Sequence, residues 1–322
     1  MVGHEKPQDN GFKFNSSTEK RRLTYHFRKR QIPEKSKNTV LIASWNLTNF
    51  GLQKRTDDHL EIMAHILSKF DVIAVQEVAD DISQFDLLLE MMDGNYRAIF
   101  SDIAGNYERL GYIYDATKLE KRGLVAELAM RTSQQKKITI EVGEEREEME
   151  FQGFNRNPYM ATFKAGSFEF TLVNVHLYWS NKLLRLLEAK ALSNWARKRS
   201  QKPETHLPAK DIMLLGDFNI PEIKDGDPYY DEITSNGLVA PMHETEYIGS
   251  NLAGDKNYDQ LFFFPKHTNE DFSQGKIGVV DFDNAIFRDL WKSDKSYKKE
   301  YFFKYIRYFM ADHRPLWAQF NI

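Results

Sequence analysis

The sequence contains no cysteine, which excludes disulfides, thiolate metal sites and a cysteine nucleophile, and suits a reducing compartment. It has no run of about 18 apolar residues, and the opening MVGHEKPQDNGFKF carries no apolar stretch, so neither a secretory signal nor a membrane anchor is expected. Charge of one sign is missing too. With 44 Lys and Arg against 47 Asp and Glu, the formal net charge is −3, which gives no bulk attraction to nucleic acid or anionic membrane. A polyanionic substrate would have to be met by a local patch. No internal repeat is visible, and no clear linker follows residue 38. These absences lead to the expectation of a cytoplasmic monomer without membrane contact. What is present, over 322 residues, is 41% hydrophobic and 13% aromatic, enough for one large core or two modest ones.

Residues 1–38 are polar and lack a convincing period, and 20–37 (KRRLTYHFRKRQIPEKSK) concentrate basic side chains. The composition predicts a basic N-terminal arm, solvated or in contact with phosphates, followed by a single domain of catalytic size over 39–322. From Thr39 onward, short apolar runs alternate with helical patterns. TVLIASWN (39–46) and DVIAVQEV (71–78) are β-branched and nearly continuous in apolar character, as strands covered on both faces are. Between them Leu60, Met63, Ala64 and Leu67 share a helical stripe, with Thr56 or Asp57 as N-cap. A second helix is predicted over 81–92. YRAIF, RLGYIYD, YMATF and FEFTLVNVHLY read as strands, the last two joined at Ala165, Gly166 and Ser167 by a hairpin turn. Leu184, Leu187, Ala191 and Trp195 mark a long helix, and DIMLLGDFN (211–219), YDQLFFF (258–264) and RPLWAQF (314–320) supply further strands. The acidic segment 141–150 reads as an exposed loop or hairpin. Strands interleaved with helices but also joined by hairpins point to mixed sheets packed on each other, with helices outside.

Many predicted strand ends carry side chains of the wrong polarity for a core: Asn46, Gln76 with Glu77, Asn174 with His176, Asp217 with Asn219, Asp259, and Asp312 with His313. Each alone has an ordinary explanation as a turn, an exposed end or a satisfied buried histidine. Together they mark the place where active sites of layered α/β folds assemble. Asn46, Glu77, Asp217, Asn219 and Asp312 offer hard oxygen ligands that suit Mg²⁺ or Mn²⁺. Two histidines give and take protons near neutral pH. With a nearby arginine, this is equipment for hydrolysing a phosphate ester, where developing oxygen charge is neutralised and the leaving oxygen protonated.

At these residues the sequence resembles the endonuclease/exonuclease/phosphatase superfamily, and within it the deoxyribonuclease I-like branch. The match runs in order through WNLTNFG (45–51), DVIAVQEV (71–78), YERLGYIYD (107–115), FNRNP (154–158), NVHL (174–177), GDFN (216–219), NYDQLFF (257–263) and ADHRP (311–315). The resemblance implies an α/β (α+β type) four-layer sandwich, two packed mixed β-sheets flanked by helices. It implies a Mg²⁺-dependent site, with Mn²⁺ or Ca²⁺ as substitutes, in which Glu77 is the principal metal ligand, Asn46 binds the metal or the phosphate, and Asp312 supports the metal. His176 and His313 would flank the scissile phosphate, oriented by Glu108 and Asp259. Asp217 and Asn219 would position water or phosphate oxygens, and Arg156 would hold the phosphate. The implied activity is that of a DNA endonuclease leaving 5′-phosphate and 3′-hydroxyl ends.

The chain departs from the branch at Ala79, where an arginine usually enters the minor groove, and the groove-stacking tyrosine is shifted if Tyr107 fills that role. The basic arm and Arg197, Lys198 and Arg199 are candidate replacements for phosphate contact. The alternative is a phosphatase or phosphodiesterase of the same fold acting on a small-molecule or lipid phosphate ester. GDFNIPE and YDQLF lack the longer signatures of the inositol-phosphate phosphatases, and Pro221-Glu222 lacks the Ala-His pair of base-excision endonucleases.

Overall fold

The computed structural model describes residues 3–92, 94–130, 137–142, 145–201, 209–241 and 248–322. Along the chain run α1 (Ser16–Lys29), β1 (Thr39–Phe50), α2 (Asp57–Leu67), β2 (Val72–Ala79), α3 (Ser83–Glu90), β3 (Tyr96–Phe100), β4 (Glu108–Asp115) and β5 (Glu120–Glu127). A hairpin of β6 (Lys137–Val142) and β7 (Glu145–Glu150) follows, then β8 (Tyr159–Ala165), β9 (Phe168–His176), α4 (Lys182–Gln201), β10 (Asp211–Asp217) and α5 (Pro228–Thr234). The chain continues through β11 (Asp259–Phe263), α6 (Pro265–Thr268), β12 (Phe272–Val279), α7 (Arg288–Ser293), α8 (Glu300–Phe309) and β13 (Leu316–Asn321).

Two mixed sheets result, ordered β12-β13-β1-β2-β4-β3 and β11-β10-β9-β8-β5. Each has one parallel pair, β1 with β2 and β9 with β10, and antiparallel pairing elsewhere. Strand alternation builds the layers. On β1, Val40 and Ile42 join Val72, Phe163, Phe170, Leu215 and Phe320 in the core between the sheets. Leu41, Ala43 and Trp45 point the other way, onto Leu60, Met63, Phe302 and Ile306 of α2 and α8. On the outer face of the second sheet, Val173, Val175, Ile212 and Leu214 meet Leu187, Leu192 and Trp195 of α4 and Ile233 of α5. The expected four-layer sandwich, two packed mixed sheets flanked by helices, is therefore the observed one. Among the described residues no helix is long and apolar enough to cross a membrane.

The turn expected at Ala165, Gly166 and Ser167 is the β8–β9 hairpin, with Ala165 opposite Phe168 and Gly166 at φ +55°. The acidic segment lies largely on the β6–β7 hairpin. The N-terminal segment differs from the solvated arm expected of it. Asn15 caps α1 by accepting the Thr18 N–H at 2.9 Å, and Glu19, Leu23, His26 and Phe27 form a buried face at helical spacing. Several of its cations pair within the protein itself. Lys20 pairs with Glu61 at 2.8 Å and Arg22 with Glu19 at 2.8 Å, while Arg30 and His26 both bind the buried Asp281. The physical reason for the difference is that few apolar residues, Leu23, Phe27 and later Ile32, carry the docking, and the charges around them mask the period.

Candidate active site

The topology brings the polar strand ends to one edge. In the parallel pairs, Asn46 lies opposite Gln76 and Asp217 opposite His176. The antiparallel neighbours present their starts at the same edge, Glu108 opposite Ala79 and Asp259 opposite Asp217. His313 lies three residues before β13, which runs antiparallel to β1. Bulges then re-aim the side chains. The β2 register shifts between Val75 and Val78, and within it Glu77 adopts φ +57°. The β1 register shifts between Asn46 and Phe50, where Thr48 and Asn49 adopt φ +52° and +49°. Left-handed backbone at three non-glycine residues is strain concentrated at this edge. Gly216 has φ +142°, and a Cβ there would meet the Val175 carbonyl oxygen at 2.0 Å, so only glycine lets β10 deliver Asp217 against β9. Beneath the site, Gln76 donates to Asn174 Oδ1 at 2.6 Å, and Asn174 donates to the Val75 and Gly111 carbonyls. The polar residues Gln76 and Asn174 thus tie the two sheets together.

The edge opens into a cleft of about 500 Å³ lined by His4, Asn49, Glu77, Asn106, Glu108, Arg156, His176, Trp179, Asp217, Asn219, Asp312 and His313. His176 Nδ1 lies 2.6 Å from Glu108 Oε1, and Arg156 Nε pairs with the same oxygen. His313 Nδ1 lies 2.6 Å from Asp259 Oδ2. Both Nε2 atoms stand 3.6 Å from Asp217 Oδ2. A carboxylate on Nδ1 fixes the ring and leaves Nε2 to the cleft. Burial pushes the His313 imidazole down, but the Asp259 and Asp217 carboxylates reverse this and raise it well above the ordinary range. At His176, burial and Arg156 oppose protonation, and Glu108 outweighs them, so the net direction is also upward. Burial likewise pushes Glu108 up, yet His176 and Arg156 hold it below its usual range.

Asn46 donates Nδ2 to Glu77 Oε1 at 3.0 Å and to Asp217 Oδ2 at 3.1 Å, while its Oδ1 accepts the Thr48 N–H. So placed, it spaces two carboxylates. Glu77 Oε2 accepts the Asn49 N–H at 2.9 Å. Burial raises the Glu77 carboxyl, and Glu108 and Asp312 add to the rise against the pull of His176. Asp312 accepts from the Thr48 hydroxyl at 2.6 Å and contacts His4 Nε2 at 3.2 Å. Burial acts to raise Asp312, but His4, His313 and Thr48 hold it well below the usual carboxylate range. Asp217 Oδ1 accepts the Asn219 N–H, and Asn219 Nδ2 donates to the Leu177 carbonyl, so Asn219 braces the turn after β10. The loop of His313 is anchored by Trp45, whose indole donates to the His313 carbonyl at 2.9 Å, and by a two-point Arg314–Asp283 pair.

Glu77, Glu108 and His176 each place a ligand atom within 4.8 Å of one another. Glu108 and His176 already hold each other, which leaves Glu77 as the carboxylate without an ionic partner in that group. An oxygen-rich donor set in which burial and like charge disfavour ionised Glu77 fits a hard divalent cation. The residues expected from the sequence come together here. Four that sequence reasoning missed also line the cleft: His4, Asn49, Asn106 and Trp179. Of these, Asn49 lies inside the WNLTNFG motif and Trp179 two residues beyond NVHL, a signal that neighbourhood alone could have supplied. Arg197, Lys198 and Arg199 lie near the C-terminal end of α4 and are not among the residues that line the cleft.

A scan against protein-family models and a search of curated proteins by sequence returned no match. Solved structures do match. The mannosyl-6-phosphatase Bt3783 of Bacteroides thetaiotaomicron is similar at 17% identity and TM-score 0.54, over 87% of this chain and 99% of that one. Truncated TDP2 of Caenorhabditis elegans is similar at 15% identity and TM-score 0.52, over 88% and 98%. The human Nocturnin catalytic domain with bound sulfate is similar at 12% identity and TM-score 0.51, over 89% and 96%. An endonuclease/exonuclease/phosphatase family protein from Leptotrichia buccalis matches at TM-score 0.54 and 16% identity. At these identities the likeness is one of fold, and it spans nearly the whole of each chain. The chain has the fold of the endonuclease/exonuclease/phosphatase superfamily.

Proposed function

We propose that this chain is a divalent-metal-dependent phosphodiesterase that cuts DNA internally, leaving 5′-phosphate and 3′-hydroxyl ends. The observation that carries the reading is the convergence of two carboxylate-backed histidines on Asp217 Oδ2, each with Nε2 at 3.6 Å. Beside them Arg156 is buried, and its Nη1 lacks a hydrogen-bond partner among the described residues. A buried, unsatisfied guanidinium nitrogen at a cleft wall favours an anionic ligand.

In this reading Arg156 holds a non-bridging phosphate oxygen, and Asp217 orients the attacking water and draws its proton. The water oxygen bonds to phosphorus as the bond to the 3′-oxygen breaks. The Nε2–H of one histidine donates to the departing oxygen, and that of the other stabilises charge on the phosphate. Glu108 and Asp259 keep the rings in register for this exchange. A divalent cation on Glu77, with Asp312 and Asn46 beside it, supplies further neutralisation of the phosphate oxygens when bound.

The test incubates the protein with supercoiled plasmid, linear duplex, single-stranded DNA and RNA, in Mg²⁺, Mn²⁺ or EDTA, alongside Glu77→Ala. Metal-dependent nicking that is absent in the variant is the expected result. Survival of every polynucleotide, with hydrolysis of a small phosphate ester, would move the function to a phosphatase of the same fold.

A further inference from the structure

Trp179 stands apart from the rest of the cleft. Every other residue lining it is polar or charged, yet this indole remains 61% exposed. Its backbone is firmly held. The Leu177 N–H donates to the Asp217 carbonyl at 2.9 Å, and Asn219 donates to the Leu177 carbonyl at 2.9 Å. The Tyr178 N–H donates to Glu188 Oε2 at 2.7 Å, and Arg185 donates to the Trp179 carbonyl at 3.2 Å. The other oxygen of the buried Glu188 accepts the Asn155 N–H at 2.7 Å. One carboxylate therefore brackets the loop that carries Trp179 and the segment that carries Arg156.

An apolar ring left in water on an anchored backbone forgoes burial that folding could have given it. Here it does so in the cleft that the buried Arg156 also lines, and Glu188 ties the two backbone segments together. We infer that Trp179 is a stacking wall for the nucleobase attached to the phosphate held at Arg156, with Glu188 setting the distance between the two. This rests on the polynucleotide reading of the site and narrows it to a substrate with an unstacked base next to the scissile phosphate. An indole face takes any base, because every base has a π-face, so the wall confers a preference for base-bearing over base-free phosphates without sequence selectivity.

The test measures binding by calorimetry, in Mg²⁺, of a deoxynucleoside 5′-monophosphate and of deoxyribose 5-phosphate, to the wild type, Trp179→Ala and Trp179→Phe. The wild type is expected to prefer the base-bearing ligand by about tenfold or more. Trp179→Ala collapses that preference to near unity, and Trp179→Phe recovers most of it. Equal affinity for the two ligands in the wild type, equal weakening of both by Trp179→Ala, or no measurable binding of the nucleotide at millimolar concentration would each overturn the inference. A parallel assay compares cleavage of a single-stranded oligonucleotide with one bearing abasic residues. If the wild type cuts both at the same rate and Trp179→Ala keeps that ratio, the stacking wall fails while the phosphodiesterase reading stands. If Trp179 governs base binding but no polynucleotide is cut, the phosphodiesterase reading fails and the wall stands.

Discussion

His176 and His313 direct their Nε2 atoms at one and the same oxygen, Asp217 Oδ2, from an equal distance of 3.6 Å. The rings are also matched behind. Each Nδ1 meets a buried carboxylate oxygen at 2.6 Å, Glu108 for one and Asp259 for the other. A near-symmetric pair of Nε2 donors around a shared carboxylate suits a reaction in which the carboxylate draws a proton from water and an imidazole delivers one to the departing oxygen.

Replacement of either histidine by alanine is expected to lower turnover by at least the 10²-fold scale of lost acid–base catalysis, with the domain still folded. Turnover on a cleavable phosphodiester, with circular dichroism as the folding control, checks this. A folded variant with near-wild-type turnover would remove that histidine from the chemistry.

Gly216→Ala is expected to destabilise the protein by roughly 2–4 kcal/mol, the scale of a strained backbone with a steric clash, because the new Cβ would meet the Val175 carbonyl oxygen at 2.0 Å. Denaturant unfolding reads the stability. Turnover should fall further than at an equally destabilised distant site, since relief of the clash displaces Asp217. Parity between the two would show that the turn has slack.

The N-terminal segment is expected to matter for stability before it matters for substrate. Removal of residues 1–37 strips Leu23, Phe27 and Ile32 from the core and leaves the buried Asp281 without His26 and Arg30. Loss of about 3 kcal/mol or more follows from the apolar burial alone. A truncated protein with an unchanged denaturation midpoint would contradict this packing role.

His59 predicts an acid limb in the stability curve. It is buried between Thr56, 2.7 Å from Nδ1, and Tyr305, 2.9 Å from Nε2, and stacks on Phe309 at 4.4 Å. Burial, with Arg55 adding to it, lowers its pKa to about 3, against about 6.5 in the unfolded chain. Between these values the unfolded state holds more protons, so stability falls as pH drops from about 6.5 toward 3, by up to about 1.4 kcal/mol per pH unit. Denaturation series across that range in the wild type and in His59→Gln check it: the variant should show a shallower slope.

Much of the architecture was legible because its strands announce themselves. TVLIASWN and DIMLLGD are apolar on both faces, as strands between two layers must be, and the observed β1 and β10 contain them. Other elements escaped notice, two of them for opposite reasons. The Glu120–Glu127 strand presents mostly polar or half-buried side chains, and the 300–309 helix has aromatics so dense that its period is blurred, although only Phe302, Tyr305, Ile306 and Phe309 are buried. In the site, residue types at strand ends revealed Glu77, His176, Asp217 and His313, since a charged group there violates the core pattern. His4 could not be found this way. Its contact with Asp312 spans 308 positions, and nothing local to the first residues records where the chain will lie.

The two histidine–carboxylate pairs are each assembled from opposite halves of the sandwich. His176 on β9 leans on Glu108 of β4 in the other sheet, and His313, just before β13, leans on Asp259 of β11 across the same divide. The candidate site is in this sense a seam rather than a pocket in one part of the protein. A fragment containing either sheet alone would hold a histidine without its partner and a carboxylate without its ring. Slippage of one sheet over the other would break both pairs at once, so the integrity of the two pairs reports directly on the docking of the two halves.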